Sequence, residues 1–424
     1  MKKVLFITTR LFWPTDSGRK VSLYHYCKGL SEYCGHEVHI YSFTESGQSE
    51  KDLENHPDFI TSVTLASSIK KTNKIKNLIG KSLFQGFPLQ CSLYYSKSNV
   101  KRIRELCDKL NPDVIIVDMV RLAPYIKAFS DRSCVKILDM DDLLSLRYER
   151  QANSVNCGSN ITGNYEIGSA GGKLLGNSRI KRMILRSESK RMRKAEIRYA
   201  NLYDKTIFVS DRETDELNKM CGFEKAYTVR LGVDYDYYSA QPNACKEKGS
   251  LAFLGNMKVA ANADSLIYII KNILPKLDFD YKLHVVGAVT DDFAEKYGRN
   301  NIIFHGRVDD VREVIGGCEI FLSPIVYGTG IKTKILEAMA MGIPVITNSV
   351  GAEGIDGLNN VHFVVRDSAD ELAASVNEMT GREMTSMINA ARELIRNKYT
   401  WNNIYADLKK VVDGDGDENN MADE

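Results

Sequence analysis

Short apolar runs alternate with longer amphipathic stretches from the first residues onward. Residues 4–8 read as a buried strand, followed by a loop holding Pro14 and Gly18 and a helix over 20–31. Strands are expected at 37–41, 113–118 (DVIIVD) and 135–140 (VKILDM), the last two separated by a helical stretch around 123–129. The rhythm restarts after residue 205. Strand residues 206–209 precede Ser210, whose hydroxyl can accept from an orphan N–H of a helix opening at Asp211. Further strands are predicted at 251–254, 283–286, 302–305, 319–322 and 344–347, with helices between them and a last helix over 401–412.

Continuous apolar strands separated by helices indicate parallel sheets covered on both faces. Two such series predict an α/β chain of two doubly wound domains, divided at 205/206. The first domain then spans 1–205 and the second 206–396; helix 397–412 is expected to pack back on the first, and 413–424 to form a disordered acidic tail. Asp413, Asp415, Asp417 and Glu424 have calcium-loop spacing, but Glu418 stands where glycine is needed.

Two stretches break the alternation. Residues 151–178 are polar and glycine-rich and read as a mobile loop. Residues 179–198 then bring nine basic and two acidic side chains, interleaved with Ile180, Met183, Ile184, Leu185, Met192 and Ile197. A second basic patch in 70–83 holds Lys70, Lys71, Lys74, Lys76 and Lys81 around Ile75, Leu78 and Leu83. Such patches are either solvated helix faces or contacts for anionic lipid headgroups, where each Lys or Arg is worth roughly 1 kcal/mol.

The net charge of +2 argues against a dedicated nucleic-acid binder. Its distribution is uneven: residues 1–200 carry 33 basic and 20 acidic side chains, the remainder 24 and 35, so only the first half favours anionic surfaces. Nine cysteines without a C-x-x-C pair argue against a disulfide scaffold or structural zinc and fit a reducing cytosol. The opening apolar run is too short for a signal-peptide core, and no run approaches the roughly 18–20 residues that span a bilayer. A soluble cytoplasmic protein is expected, with peripheral attachment to the inner face of the cell membrane as an option.

Several chemistries lack their motifs. No G-x-G-x-x-G follows the first strand, no G-x-x-x-x-G-K-[ST] occurs, and H-E-x-x-H and G-x-S-x-G are missing. The most informative segment is 321–355, FLSPIVYGTGIKTKILEAMAMGIPVITNSVGAEGI. A strand ends at Ser323-Pro324, and the loop Gly328-Thr329-Gly330-Ile331 opens a helix running to about Met341. A helix N-terminus with Lys332 and Lys334 suits a diphosphate. Glu337, at i+3 from Lys334, could accept the two vicinal hydroxyls of a ribose. The plain alternative is a strand–turn–helix unit with solvated lysines.

The run from Lys332 through Ile335-Leu336-Glu337-Ala338 to Gly342-Ile343-Pro344-Val345 resembles the donor-site signature of glycosyltransferase family 4, retaining enzymes of GT-B fold. Segments in the order of that family include Gly35-His36-Glu37-Val38, Phe208-Val209-Ser210, Leu231-Gly232-Val233-Asp234, Phe253-Leu254-Gly255-Asn256-Met257, Val286-Gly287 and Phe304-His305-Gly306-Arg307-Val308. The resemblance implies two Rossmann-like domains facing across a cleft, a nucleotide diphosphate sugar as donor and a saccharide as acceptor; the basic, apolar-studded first domain points to a lipid-linked acceptor used to build a surface polysaccharide. It implies no cofactor and no metal requirement. It places Gly255, Asn256, Lys258, Arg307 and Val308 with the 328–337 segment around the donor, and Gly18 against the donor phosphate and the acceptor. Two departures stand out. Thr329 occupies the place of the first glutamate of a Glu-x7-Glu pair, and Asn256 and Asn262 stand near an expected arginine–lysine pair. Lys332 and Lys334 are therefore expected to neutralise the diphosphate.

Asp139, in the strand-end run Asp139-Met140-Asp141-Asp142, is expected either to orient an acceptor sugar or to be a plain strand-end residue; Asp118 and Arg121 share that status. A sugar-nucleotide epimerase, a glycoside phosphorylase and a non-catalytic nucleotide-sugar-binding protein remain the alternatives on this architecture.

Overall fold

The computed structural model describes residues 1–15, 18–44, 53, 55–69, 71–83, 86–153, 178–240 and 246–414. Asp16, Ser17 and Lys70, the loop expected within 151–178 apart from its ends, and the tail beyond residue 414 lie outside these residues.

The chain divides into two compact units, with 1–152, 161–230 and 404–424 in the first and 153–160 and 231–403 in the second. The first is built on a seven-stranded sheet. Its strands are β1 (Lys3–Thr8), β2 (Glu37–Ser42), β3 (Ser62–Leu65), β4 (Val114–Asp118), β5 (Val135–Asp141), β6 (Lys205–Phe208) and β7 (Ala226–Thr228). All pairs are parallel, in the order β3-β2-β1-β4-β5-β6-β7. The chain therefore leaves the first unit at 230/231 and not at 205/206, returning to it at Ile404, because β6 pairs with β5 and β7 with β6. β3 and β7 were absent from the apolar pattern for a physical reason: both are short edge strands that are not fully buried.

The second sheet contains β8 (Glu247–Leu254), β9 (Lys282–Val286), β10 (Ile302–Gly306), β11 (Cys318–Leu322), β12 (Val345–Thr347) and β13 (Val364–Val365), in the parallel order β10-β9-β8-β11-β12-β13. Strand cores such as Leu251, Ala252 and Phe253 are completely buried, as a sheet covered on both faces requires.

Seven helices matter below: α1 (Gly18–Lys28), α2 (Ser178–Leu202), α3 (Tyr235–Ser239), α4 (Ala260–Tyr268), α5 (Thr333–Met341), α6 (Thr385–Lys398) and α7 (Trp401–Asp413). From Ile404 onward α7 belongs to the first unit. There Tyr405 lies against Gly29, where a Cβ would come within 2.5 Å of its ring, and its hydroxyl meets His25 Nδ1 at 2.7 Å. Asp413 is not part of a solvated tail: it closes on the Lys2 ammonium at 2.7 Å and on His36 Nε2 at 3.0 Å.

In each sheet the strand order reverses once, between β1 and β4 in the first and between β8 and β11 in the second. Loops leaving the carboxyl ends of strands diverge at such a switch point and leave a crevice, the usual ligand position in open parallel sheets.

Candidate functional site

At the switch point of the second unit, the loops after β8 and β11 supply the residues singled out in the sequence. The helix α5 forms because Ile335, Leu336 and Ala338 through Met341 are all buried, which fixes it in the core. Full burial of one such large side chain is worth about 1.5–3 kcal/mol. Gly342 ends the helix in the left-handed conformation, φ 74°, its N–H turned back to the carbonyls of Ala338 and Met339. Arg392 of α6 covers the last turn, donating to Met341 O at 3.0 Å and Ala340 O at 3.3 Å. The N-terminus of α5, by contrast, has Lys332 at its cap with no side-chain cap bond. The first N–H groups of any helix lack partners within it.

Lys332 folds its ammonium onto the carbonyls of Thr329, at 3.1 Å, and Gly330. Gly330 takes φ 67°, a conformation that favours glycine. Lys334 donates to Leu254 O and Asn262 Oδ1, each at 3.0 Å, and its ammonium stands 4.8 Å over the Phe253 ring. Burial, reinforced by Lys332, pushes the Lys334 pKa down to about 7 although Glu337 opposes the shift. Burial pushes the Glu337 carboxyl up to about 7, against the pull of Lys334 and Thr333. The two groups sense one another without closing into an ion pair among the described residues. Tyr238 of α3, which packs against α5, sits in the field of Glu337.

Gly255 and Asn256 reach this cluster through Asn262 of α4. The Asn262 amide donates to Asn256 O at 3.1 Å while its oxygen accepts from Lys334. Gly255 has a packing reason to be glycine, since a Cβ there would stand 2.9 Å from Asn262 Cγ. Its carbonyl also lies 2.0 Å from where a Cβ on Gly287 would be. Lys258 and Arg307 are exposed, and Val308 packs into the cluster of core residues that holds α5. Thr329 is buried. Asn262, Phe253 and Tyr238 were not assigned from sequence; the break at the expected arginine–lysine pair was the one signal pointing to Asn262.

The switch point of the first unit is differently built. Arg19, in the first turn of α1, donates to Asp118 Oδ1 (3.1 and 2.5 Å), Asp139 Oδ2 (2.7 Å) and Asp141 Oδ1 (3.1 Å). Asp118 Oδ2 also accepts from the Thr9 N–H at 2.8 Å and from the Thr9 hydroxyl. These bonds hold the Asp118 carboxyl below its ordinary value despite burial, whereas burial and the neighbouring carboxylates push Asp139 up to about 6. Asp141 adopts φ 64° at an irregularity in the pairing of β5 with β6, which turns its carboxylate toward Arg19. Asp118 and Asp139 are both 0% exposed. Asp139, expected either to orient an acceptor sugar or to be a plain strand-end residue, is committed by the fold to Arg19, which lies 120 residues away in sequence. Gly18, just before Arg19, is exposed, and a Cβ there would meet nothing within 4 Å.

Cys34, His36 and Asp413 also converge, their ligand atoms within 4.8 Å of one another. They lie by the amino ends of β1 and β2, away from the switch point, and Lys2 already supplies a cation to Asp413.

Fold and site together define a GT-B architecture whose second unit gathers these residues at the β8/β11 switch point. Residues 248–381 match the family described as glycosyl transferases group 1, so the second unit carries a glycosyltransferase domain. A curated relative, the uncharacterized 44.6 kDa protein in the cps region of Klebsiella pneumoniae, is 24% identical over 221 residues. That match takes in 49% of this chain and 54% of the relative, so it spans about half the length of each. Among solved structures, sucrose-phosphate synthase from Thermosynechococcus elongatus has a TM-score of 0.68 at 13% identity, covering 97% of this chain and 98% of that one. Anabaena Alr3699/HepE in complex with UDP and glucose has a TM-score of 0.64 at 14% identity, covering 97% and 100%. At those identities the likeness establishes the fold. Among the described residues, no helix is long and apolar enough to cross a membrane.

Proposed function

We propose that the protein is a retaining glycosyltransferase of the family 4 type, moving a sugar from a nucleotide diphosphate sugar to a saccharide acceptor in surface-polysaccharide synthesis. The observation that carries this reading is the constellation of Glu337, Lys334 and the 328–332 loop at the β8/β11 switch point, inside the matched domain. The diphosphate would sit at the uncapped start of α5, with Lys332 and Lys334 meeting its charge. The Glu337 carboxylate would accept from the ribose hydroxyls. In the transfer step the bond from the anomeric carbon to the diphosphate oxygen breaks as one to the acceptor oxygen forms, and the acceptor proton passes to the departing diphosphate. The protein's contribution is then to position the reactants and stabilise charge.

Two further points support the reading. UDP and glucose are bound by the HepE neighbour of similar fold, and the curated relative is described as lying in a cps region. Gly18, which no packing contact requires to be glycine, leaves room for a ligand beside the first sheet. A lipid-linked acceptor fits the exposed basic residues of α2.

A panel of nucleotide diphosphate sugars tests this by thermal shift followed by transfer assays. A ligand at 100 times its Kd should add about 2.7 kcal/mol of stability. Glu337→Ala should keep the fold, read by circular dichroism, and lower kcat/KM at least about tenfold. Unchanged transfer in Glu337→Ala would remove that residue from the site.

A further inference from the structure

The turn after β4 carries a second arginine, and the fold has not used it. Arg121 is only 5% exposed, yet no carboxylate closes on it among the described residues. Its Nη1 reaches the Tyr94 hydroxyl at a marginal 3.5 Å, and the guanidinium carbon lies 5.4 Å from the centre of the Tyr94 ring. Its Nε is sealed from solvent with no acceptor. The contrast with Arg19, which holds three carboxylates at the same sheet edge, is direct. Asp118 favours its charge only from a distance, without contact, and a buried cation without a hydrogen-bonded counter-charge is costly.

The surroundings are polar and come from separate elements. The helix Leu89–Tyr94 provides Tyr94, Gln90 and Ser92; Gln90 Nε2 donates to the Tyr148 hydroxyl at 2.5 Å, and the Ser92 hydroxyl is buried without a partner. Tyr148, on the helix Leu144–Asn153, lies within electrostatic reach of Arg121. The nearby carboxylate of Glu188 is already taken by the Leu89 N–H at 2.7 Å and by Arg191 at 3.1 Å. Asp118, three residues before Arg121, is held by Arg19 and Thr9.

We propose that Arg121 and the Tyr94 hydroxyl form an oxyanion-binding subsite at the switch point of the first sheet, which recognises a phosphate or carboxylate carried by the acceptor. A guanidinium whose Nε has no acceptor and whose Nη1 holds only a marginal one offers the planar, paired donors that either group accepts. Only the word acceptor rests on the glycosyl-transfer reading. The binding of an anion stands apart from it.

Melting temperatures of the wild type, Arg121→Met and Arg121→Lys, measured at constant ionic strength with inorganic phosphate, glucuronate or UDP, test the proposal. One of the two small anions should stabilise the wild type, with an apparent affinity at least about tenfold weaker in Arg121→Met and partly restored in Arg121→Lys. Stabilisation common to all three proteins belongs to another site, so the Arg121-dependent part is the readout. Without ligand, Arg121→Met should melt no lower than the wild type, because it removes a buried charge that no carboxylate contacts. Dependence on phosphate alone names a phosphorylated acceptor, and dependence on glucuronate alone names an acidic sugar. If Arg121→Met melts several degrees lower and responds to both anions as the wild type does, Arg121 is a packing residue and the proposal is wrong. No Arg121-dependent response to either anion overturns it equally. A missing UDP response beside an intact Arg121-dependent one would instead sink the donor reading and leave the subsite standing.

Discussion

Arg19 is one cation among three carboxylates, so the cluster cannot ionise fully without excess negative charge in the interior. The fold resolves this unequally. Asp118, bonded twice to Thr9 as well as to Arg19, stays ionised, while Asp139 is pushed up to about 6 and Asp141 also rises. For Asp118 the folded state binds fewer protons than the unfolded one, so its stabilisation is present above the ordinary carboxyl range and lost on acidification. For Asp139 the sign is opposite, and stability falls as pH rises from the ordinary carboxyl range toward 6. Removing Arg19 leaves buried carboxylates unpaired, a change that costs about 3–5 kcal/mol. Arg19→Ala should therefore be destabilised by that order in urea titrations at pH 7.5, and by less at pH 5, where Asp139 is protonated. A loss below about 1 kcal/mol at pH 7.5 would show the cluster to be energetically idle. Sequence reading found Asp118 and Asp139 by their places at strand ends, but gave Arg19 no role. Its partners lie 99 and 120 residues away, a pairing set by topology and carried by no local spacing.

At the scale of elements, α5 was the most legible part of the chain, since its loop glycines, its apolar run and its Gly-x-Pro stop are all local signals. The central strands were legible for the same reason, being continuously apolar. The edge strands β3 and β7 and the close of the first unit were not, because their identity depends on pairing with β2 and β6. The electrostatic state of α5 was also hidden. Lys334 reads as a full cation from sequence, ready for a diphosphate, yet burial beside Phe253 and Asn262 lowers its pKa to about 7. At pH 8 the free protein therefore holds Lys334 mostly neutral. A bound diphosphate favours the charged form and should draw a proton onto it. Calorimetry of UDP binding at pH 8, where Glu337 is already mostly ionised, in buffers of different ionisation enthalpy should accordingly show uptake of up to about one proton per ligand. Lys334→Met should bind more weakly and lose the uptake. Uptake that persists in that variant would assign the titrating group elsewhere.

Over the whole molecule, charge is sorted by region, and the excess of basic residues in 1–200 is concentrated in two stretches that folding joins. Glu188 of α2 accepts from the Leu89 N–H, and Arg191 reaches the Ser82 hydroxyl at 3.2 Å, which brings 71–83 and α2 onto one side of the first unit. Their inward residues, among them Leu185, Met192 and Ala195, are buried. Their outward residues include Arg179, Arg186, Lys190, Arg193, Lys194, Lys76 and the exposed apolar side chains Ile75 and Met183. A solvated basic face has no physical need for Ile75 at 56% exposure or Met183 at 73%, whereas a surface that meets headgroups and then acyl chains uses both kinds of side chain. The expected outcome is sedimentation of the protein with vesicles containing anionic lipid at low salt, and its release at high salt as the Debye length contracts from about 30 Å at 0.01 M to about 3 Å at 1 M. Replacing Arg179, Arg186, Lys190 and Lys194 by glutamine should abolish sedimentation while leaving the UDP-induced thermal shift intact. Met183→Ser should weaken binding by the same factor at low and at intermediate salt, because its share is apolar burial that salt does not screen. Equal sedimentation with neutral vesicles would refute the electrostatic account, and so would full binding by the four-fold variant.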